Sequence, residues 1–232
     1  MRAIIITLLL AVCFSACDKD QPNDLGGTDI GGKVYIENPY VGQVKKLLPG
    51  QKVLLINDTL APITSYERSI TANTDAVFSF GSVIADRSYR LYAELRQATY
   101  EDPEVVYTAT VVSTPSESLE LVLQPDFSKQ NALYITCKDG SVAPGTIGGA
   151  TIYLYTSPVL AALDAAAMDG VGAYDTLTTR PDGTAFKCNL PAVQLYANAY
   201  FETAAGRLKA AVVSMPLLGA TKLGQATITL LP

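Results

Sequence analysis

The sequence contains no histidine and no tryptophan, and only 17% of its 232 residues are charged. Without imidazole there is no Ser-His-Asp triad, no Cys-His pair, no His-bearing zinc site and no side chain that ordinarily titrates near neutral pH. Most hydrolase mechanisms are thereby removed, and carboxylates remain as the acid–base groups. Basic residues are also scarce: 17 Lys and Arg against 22 Asp and Glu give a net charge of −5. Phosphate binding needs clustered Lys and Arg, so nucleic acid is excluded as a partner. What the chain does have is 49% hydrophobic residues, 13 Tyr, 17 Gly and four Cys. That apolar fraction excludes disorder for most of the chain, and the length suits one or two domains with cores of their own.

The first residues read as an address. Arg2 gives one positive charge, and Ala3 to Val12 form an apolar run too short for a bilayer span of about 20 residues but suited to a secretory signal. Phe14-Ser15-Ala16-Cys17 follows, and then the acidic Asp18-Lys19-Asp20. Small residues directly before a cysteine resemble the lipobox of bacterial lipoproteins, although Phe14 stands where that family usually has Leu. Cys13 competes but follows Val12, a poor cleavage residue, and a plain secretory signal is the alternative. The resemblance implies a signal peptide over residues 1–16 and an acylated Cys17 that anchors the chain to a membrane, since two or three acyl chains hold where one does not. Residues 17–30 are expected to form a flexible tether, with one Lys against four Asp beyond Cys17. An acidic stretch at this place resembles the surface-export signal of Bacteroidota lipoproteins, implying outer-membrane anchoring with the cell surface favoured over the periplasmic face.

Beyond the tether the chain repeats. Alternating apolar residues predict strands at 33–37, 52–56, 65–71, 76–80, 88–95, 104–112 and 118–123, separated by turn residues such as Pro49-Gly50 and Asn57-Asp58. A second series falls at 132–137, 150–155, 174–179, 184–188, 193–201, 207–213 and 225–231. Arg90-Leu91-Tyr92-Ala93 in the first matches Gln194-Leu195-Tyr196-Ala197 in the second. The fold expected is all-β: two tandem seven-stranded β-sandwiches, over residues 31–125 and 131–232, with a linker at 126–130. Ser157-Pro158 followed by Val159 to Met168 predicts one short helix inserted in the second unit, either a plug over a sandwich edge or a partner-binding lid.

Lys138-Asp139-Gly140, Thr146-Ile147-Gly148-Gly149-Ala150, the strand Ile152–Tyr155, Arg180-Pro181-Asp182-Gly183-Thr184-Ala185-Phe186 and Asn189-Leu190-Pro191 together resemble the carboxypeptidase regulatory-like, or transthyretin-like, domain. The resemblance implies a prealbumin-like, Ig-like sandwich that serves as spacer, stabiliser or binding platform, and it specifies a fold rather than an activity. The family's Asp-x-x-Gly-x-Phe turn is met in part, by Asp182, Gly183 and Phe186, with Phe186 expected in the core. The first unit has Asn73-Thr74-Asp75-Ala76 and no glycine before Phe78. The related pilin sandwiches weld first to last strand by a Lys–Asn bond, but the final strands here contain no asparagine.

Candidate functional residues are few. Cys137 and Cys188 are both placed inward by alternation, and in an oxidising compartment they are expected either to pair as a disulfide or to remain two buried thiols. Glu101-Asp102-Pro103-Glu104 is the densest carboxylate cluster, read as a solvated loop or a calcium site. Tyr92, Tyr196, Asn198 and Tyr200 fall on the outer face, where they would either cover the sheet as cross-strand pairs or stack on sugar rings and grip a protein. No catalytic residues, metal ligands or cofactor motifs are found. The expectation is a non-catalytic envelope lipoprotein acting as a structural or binding module toward a protein or glycan partner. A glycan-binding lipoprotein of a polysaccharide-uptake system and a fimbrial or adhesin accessory subunit are the alternatives. The first unit carries eight basic and eleven acidic residues and the second carries six of each, so an interface is looked for first in the neutral second unit.

Overall fold

The computed structural model describes residues 27–57, 59–97, 105–116, 118–140, 145–219 and 222–232. The leader, Cys17 and the 101–104 carboxylates lie outside the described residues. Alternating apolar residues fold into strands throughout. The first half holds β1 (Thr28–Asn38), β2 (Gln43–Leu47), β3 (Lys52–Ile56), β4 (Arg68–Thr71), β5 (Val77–Val83), β6 (Tyr89–Gln97), β7 (Val105–Ser113) and β8 (Leu119–Pro125). The second holds β9 (Ala132–Asp139), β10 (Thr151–Tyr155), α1 (Pro158–Asp164), β11 (Asp175–Thr178), β12 (Thr184–Cys188), β13 (Tyr196–Thr203), β14 (Gly206–Ser214) and β15 (Leu223–Leu230).

Both halves follow one path. In the second, β11-β10-β13-β14 and β12-β9-β15 form two sheets, with first and last strands parallel. Leu133, Ile135, Ile152, Leu154, Ala197, Ala199, Ile228 and Leu230 fill the space between them. In the first, β4-β3-β6-β7 and β5-β1-β8 repeat these pairings, but β7 also pairs β8 at Tyr107 and Thr108, so eight strands make one curled sheet. The eighth is β2, which pairs the far end of β1. This replaces the expected seven strands in two sheets.

Two boundaries also move. The tether was expected to reach residue 30, yet β1 begins at Thr28 and Ile30 is wholly buried. Just beyond it the Gly32 backbone makes a close approach, because a Cβ there would lie 1.9 Å from the Leu119 carbonyl oxygen. The helix was expected to run to Met168 but stops at Asp164. Ser157 caps its start by accepting from Val159 N, and Pro158 sits in its first turn. At its end Asp164 turns inward and accepts from the backbone N–H groups of Asp169 (3.0 Å) and Gly170 (3.1 Å), drawing the following turn back over it.

The halves meet at an aromatic seam. Tyr40 sits in a single 3-10 turn after β1, fixed by the buried Asn38, whose Oδ1 accepts from Tyr40 N at 3.1 Å and whose amide donates to Tyr107 Oη at 3.0 Å. The Tyr40 ring stacks on Phe186 with centroids 5.1 Å apart and meets Phe127 and Tyr134 edge-on. Arg180 donates to the Tyr40 carbonyl. The connecting residues are held as well: Gln130 is buried and exchanges two hydrogen bonds with the Val106 backbone, and Asp126 accepts from Thr108.

The seam explains two corrections. Phe186 does not enter the second core; it pairs with Tyr134 and faces the first half. Cys188 shares that face, whereas Cys137 faces the second core with Leu133 and Ile135. The two cysteines therefore project from opposite faces of one sheet. Cys188 pairs with Ala132, five residues from Cys137 along β9, a separation of about 17 Å at strand rise. A disulfide needs Cα atoms within about 7 Å, so the expected bridge is not formed. Burial pushes the Cys137 thiol up to about 12, leaving it without nucleophilic character.

Candidate functional site

The outer face of β10, β13 and β14 collects most of the polar and aromatic side chains singled out in the second half. Strand alternation sends Ile152, Leu154, Ala197 and Ala199 inward, so Tyr153, Tyr155, Tyr196, Asn198 and Tyr200 point out. Register sets Tyr153 beside Asn198 and Tyr155 beside Tyr196. The segment 158–170 then folds back over part of this face and divides it in two.

Under α1 lies a closed polar network. Asn198 is 0% exposed, not the surface amide expected. Its Nδ2 donates to the Ala161 carbonyl at 2.8 Å and to Asp164 Oδ2 at 3.3 Å, and its Oδ1 accepts from Val212 N at 2.9 Å. Tyr155 also donates its hydroxyl to Asp164. Burial pushes the Asp164 carboxyl up, but the hydrogen bonds from Tyr155 and Asn198 and from the backbone outweigh it and hold the group below its ordinary range. The same network drives the Tyr155 phenol upward, first through burial and then through its hydrogen bond to Asp164. All of these side chains satisfy one another, so the network fastens α1 to the sheet and offers nothing to a ligand.

Beside α1 the face stays open. Tyr153 and Tyr200 have ring centroids 6.0 Å apart, and the Arg207 guanidinium lies 4.5 Å over the Tyr200 ring. The Tyr153 phenol is held above its usual value, first by its hydrogen bond with Tyr200 and then by burial. Gly170, at φ 81°, lies so close to Tyr153 that a Cβ there would come within 2.6 Å of the ring. Two half-exposed phenols, inclined at 37°, and a guanidinium paired with Glu202 and bonded to the Ala167 carbonyl give an aromatic platform of the kind that accepts a sugar ring or a protein edge.

Of the four expected ligand residues, the structure keeps Tyr196 and Tyr200 half-exposed on this face, buries Asn198, and sets Tyr92 apart on the first half. Tyr92 is 7% exposed, and its ring is closed over by the connector. Its hydroxyl donates to Glu94 at 2.5 Å and accepts from Lys129 at 2.7 Å, while Lys129 also pairs Glu94. Tyr153 and Arg207 complete the platform without having been singled out. Period-two reading of Thr151–Tyr155 places Tyr153 outward, but the cross-strand neighbour that makes it useful is a matter of register. Among the described residues no group of three or more His, Cys, Asp or Glu side chains is placed to hold a metal ion, and no helix is long and apolar enough to cross a membrane.

No protein-family model matches the chain, and no curated protein matches it. Solved structures give faint likenesses. One is a protein described as carbohydrate-binding from Pseudomonas aeruginosa, 17% identical over 43% of this chain and 88% of that one, with a TM-score of 0.32. A variant of the shaft pilin spaA from Lactobacillus rhamnosus GG is 11% identical, covering 89% of this chain and 97% of its own, with a TM-score of 0.31. A minor pilin from Streptococcus agalactiae is 12% identical over 88% and 95%, with a TM-score of 0.26. Scores of this size carry no function from those proteins to this chain.

Proposed function

We propose that the chain is a non-catalytic envelope lipoprotein, held by Cys17, whose two β modules act together as a structural and binding unit of an envelope or surface assembly. The observation that carries this reading is the seam. Tyr40, Phe127, Tyr134 and Phe186 join the two cores, and Lys129 and Gln130 clasp the connector to β6 and β7. A chain built to hold one module at a set distance and angle from an anchor needs such coupling. Labelled palmitate should enter the protein and vanish with Cys17→Ser, which should also move the protein from the membrane to the soluble fraction. Protease added to intact cells should remove the protein while a periplasmic marker survives. Unchanged membrane retention in Cys17→Ser without label would sink the anchor, and full protection would turn the module toward the periplasm.

The platform of Tyr153, Tyr200 and Arg207 supports a second reading, that the ligand is a glycan. Pull-down on the polysaccharides of the native environment should then weaken at least tenfold in Tyr200→Ala and Tyr153→Ala, the loss expected when stacking contacts go. Equal retention by wild type and both variants would leave the structural role alone.

A further inference from the structure

We propose that the outer face of α1 is the docking surface for a second copy of this chain. A surface helix ordinarily turns its apolar stripe inward and its charges outward. Here α1 is reversed. Its one charged residue, Asp164, is buried against Tyr155 and Asn198, while Val159 and Leu163 stand 65% and 76% exposed, with Leu160 beside them. The surface continues past the helix. Leu160 lies against Gly172, flanked by exposed Val171 and Tyr174, and Val212 borders the helix where its N–H meets Asn198. From residue 158 to 174 the one exposed charge is Asp169.

Size and charge both select a copy of the same chain. These six large side chains expose on the order of 600 Å², the upper end of what a monomer shows in one patch. Two such faces together would bury about 1,200 Å², where specific interfaces begin. A two-fold contact sets each surface against itself, so a charged surface repels its copy and an uncharged one does not. In a chain of net charge −5, whose excess acidic residues lie outside the second half, this face comes near that condition, with Asp169 its one exposed charge from 158 to 174. Ala162, Ala166 and Ala167, also exposed, add small apolar side chains to the same segment. A bilayer-seeking helix would carry Lys or Arg along its flank; α1 has none, and the neighbouring Arg207 is engaged by Glu202 and Tyr200.

Sedimentation velocity of the full chain carrying Cys17→Ser, which removes any acyl group, tests this independently of the anchor. At micromolar concentration the particle should have twice the mass of a single chain. Leu163→Glu should weaken association at least about 100-fold, as loss of a central apolar anchor does, with an unchanged circular dichroism spectrum. Mixing Leu163→Glu with Leu163→Lys should restore a mixed dimer, and Ile84→Glu, at an exposed site of the first half, should leave association intact. A chain that stays monomeric, a dimer that survives Leu163→Glu, or one lost equally in Ile84→Glu would overturn the proposal. So would a monomer that floats with phosphatidylcholine–phosphatidylglycerol vesicles until Leu163→Glu releases it, which would assign the face to lipid.

Discussion

Ala76 and Gly183 occupy the same place in the two halves, at the end of the turn leading into β5 and β12, and the pair shows how one path is kept by different means. Gly183 takes φ 79° at no steric cost and donates to Arg180 at 2.8 Å, while Asp182 accepts from the Thr184 backbone and hydroxyl. Ala76 takes φ 58° in a turn of the same bonding, donating to Asn73 at 2.9 Å. Asn73 replaces the aspartate device by accepting from both Asp75 and Val77 N–H groups. A missing glycine therefore leaves the turn standing and strains it. After the turn the halves diverge. Phe78, two residues past Ala76, points into its core, whereas Phe186, three past Gly183, points to the seam. Moving one aromatic by a single strand position changes what it joins.

The largest break in this comparison should come from Gly32→Ala. Gly32 and Ile135 are counterparts, facing Leu119 and Ala226 in turn, so the first half puts bulk on its last strand and the second on its first. With a Cβ 1.9 Å from the Leu119 oxygen and 2.8 Å from its Cα, the variant should lose more than about 4 kcal/mol, read as failure of the first half to fold by circular dichroism and proteolysis. Tyr40→Ala should cost about 3–4 kcal/mol and split one calorimetric transition into two, one per half. A single lowered transition would show that coupling does not rest on the seam. Asp164→Ala should cost about 2–3 kcal/mol by orphaning buried Tyr155 and Asn198, with faster amide exchange confined to α1 and β13. In the wild type the folded Asp164 titrates below its unfolded value. Its contribution is therefore complete above about pH 4 and fades as pH falls through the lower folded value. Exchange at α1 measured from pH 5 to pH 2 should follow that curve and be flat in Asp164→Asn. Lys129→Met should cost under about 1 kcal/mol, because its pair with Glu94 is part-exposed and screened. Smallest and of opposite sign, Ala76→Gly should stabilise by about 0.5–1 kcal/mol through relief of the left-handed backbone. Gly183→Ala, whose Cβ would meet Thr146 at 2.4 Å, should do the reverse and more.

Alternation made most strands legible, but the likeness of the Leu91 and Leu195 segments is two residues out of register, since Leu91 faces Leu55 and Ala197 faces Leu154. It missed β2 because Gln43–Leu47 is exposed along most of its length and alternates nothing. Ser157 and Pro158 marked the start of α1, since capping is local. Its end was not marked, since Asp164 is drawn inward by Tyr155 of β10 and Asn198 of β13, which pattern along α1 does not show. The same reason hid the burial of Asn198: alternation tells which face a residue takes but not what lands on that face. Cys188 differs in kind. Alternation shows that it is buried but not which core it enters, and its face is covered by the other half, away from Cys137. The platform was half legible, since Tyr196 and Tyr200 lie on one strand while Tyr153 and Arg207 reach it across two ladders.

The parallel pairing of first and last strands has a mechanical meaning. A module whose entering and leaving strands lie side by side and point the same way is pulled along its strand axis when its two ends are drawn apart. The load falls on the interstrand bonds in shear, so they must yield together rather than unzip one by one. β1 and β8 share five paired positions and β9 and β15 share eight. Under tension between an anchored N-terminus and a held second half, the first half is therefore the weaker link, giving way before the module that carries the platform and α1.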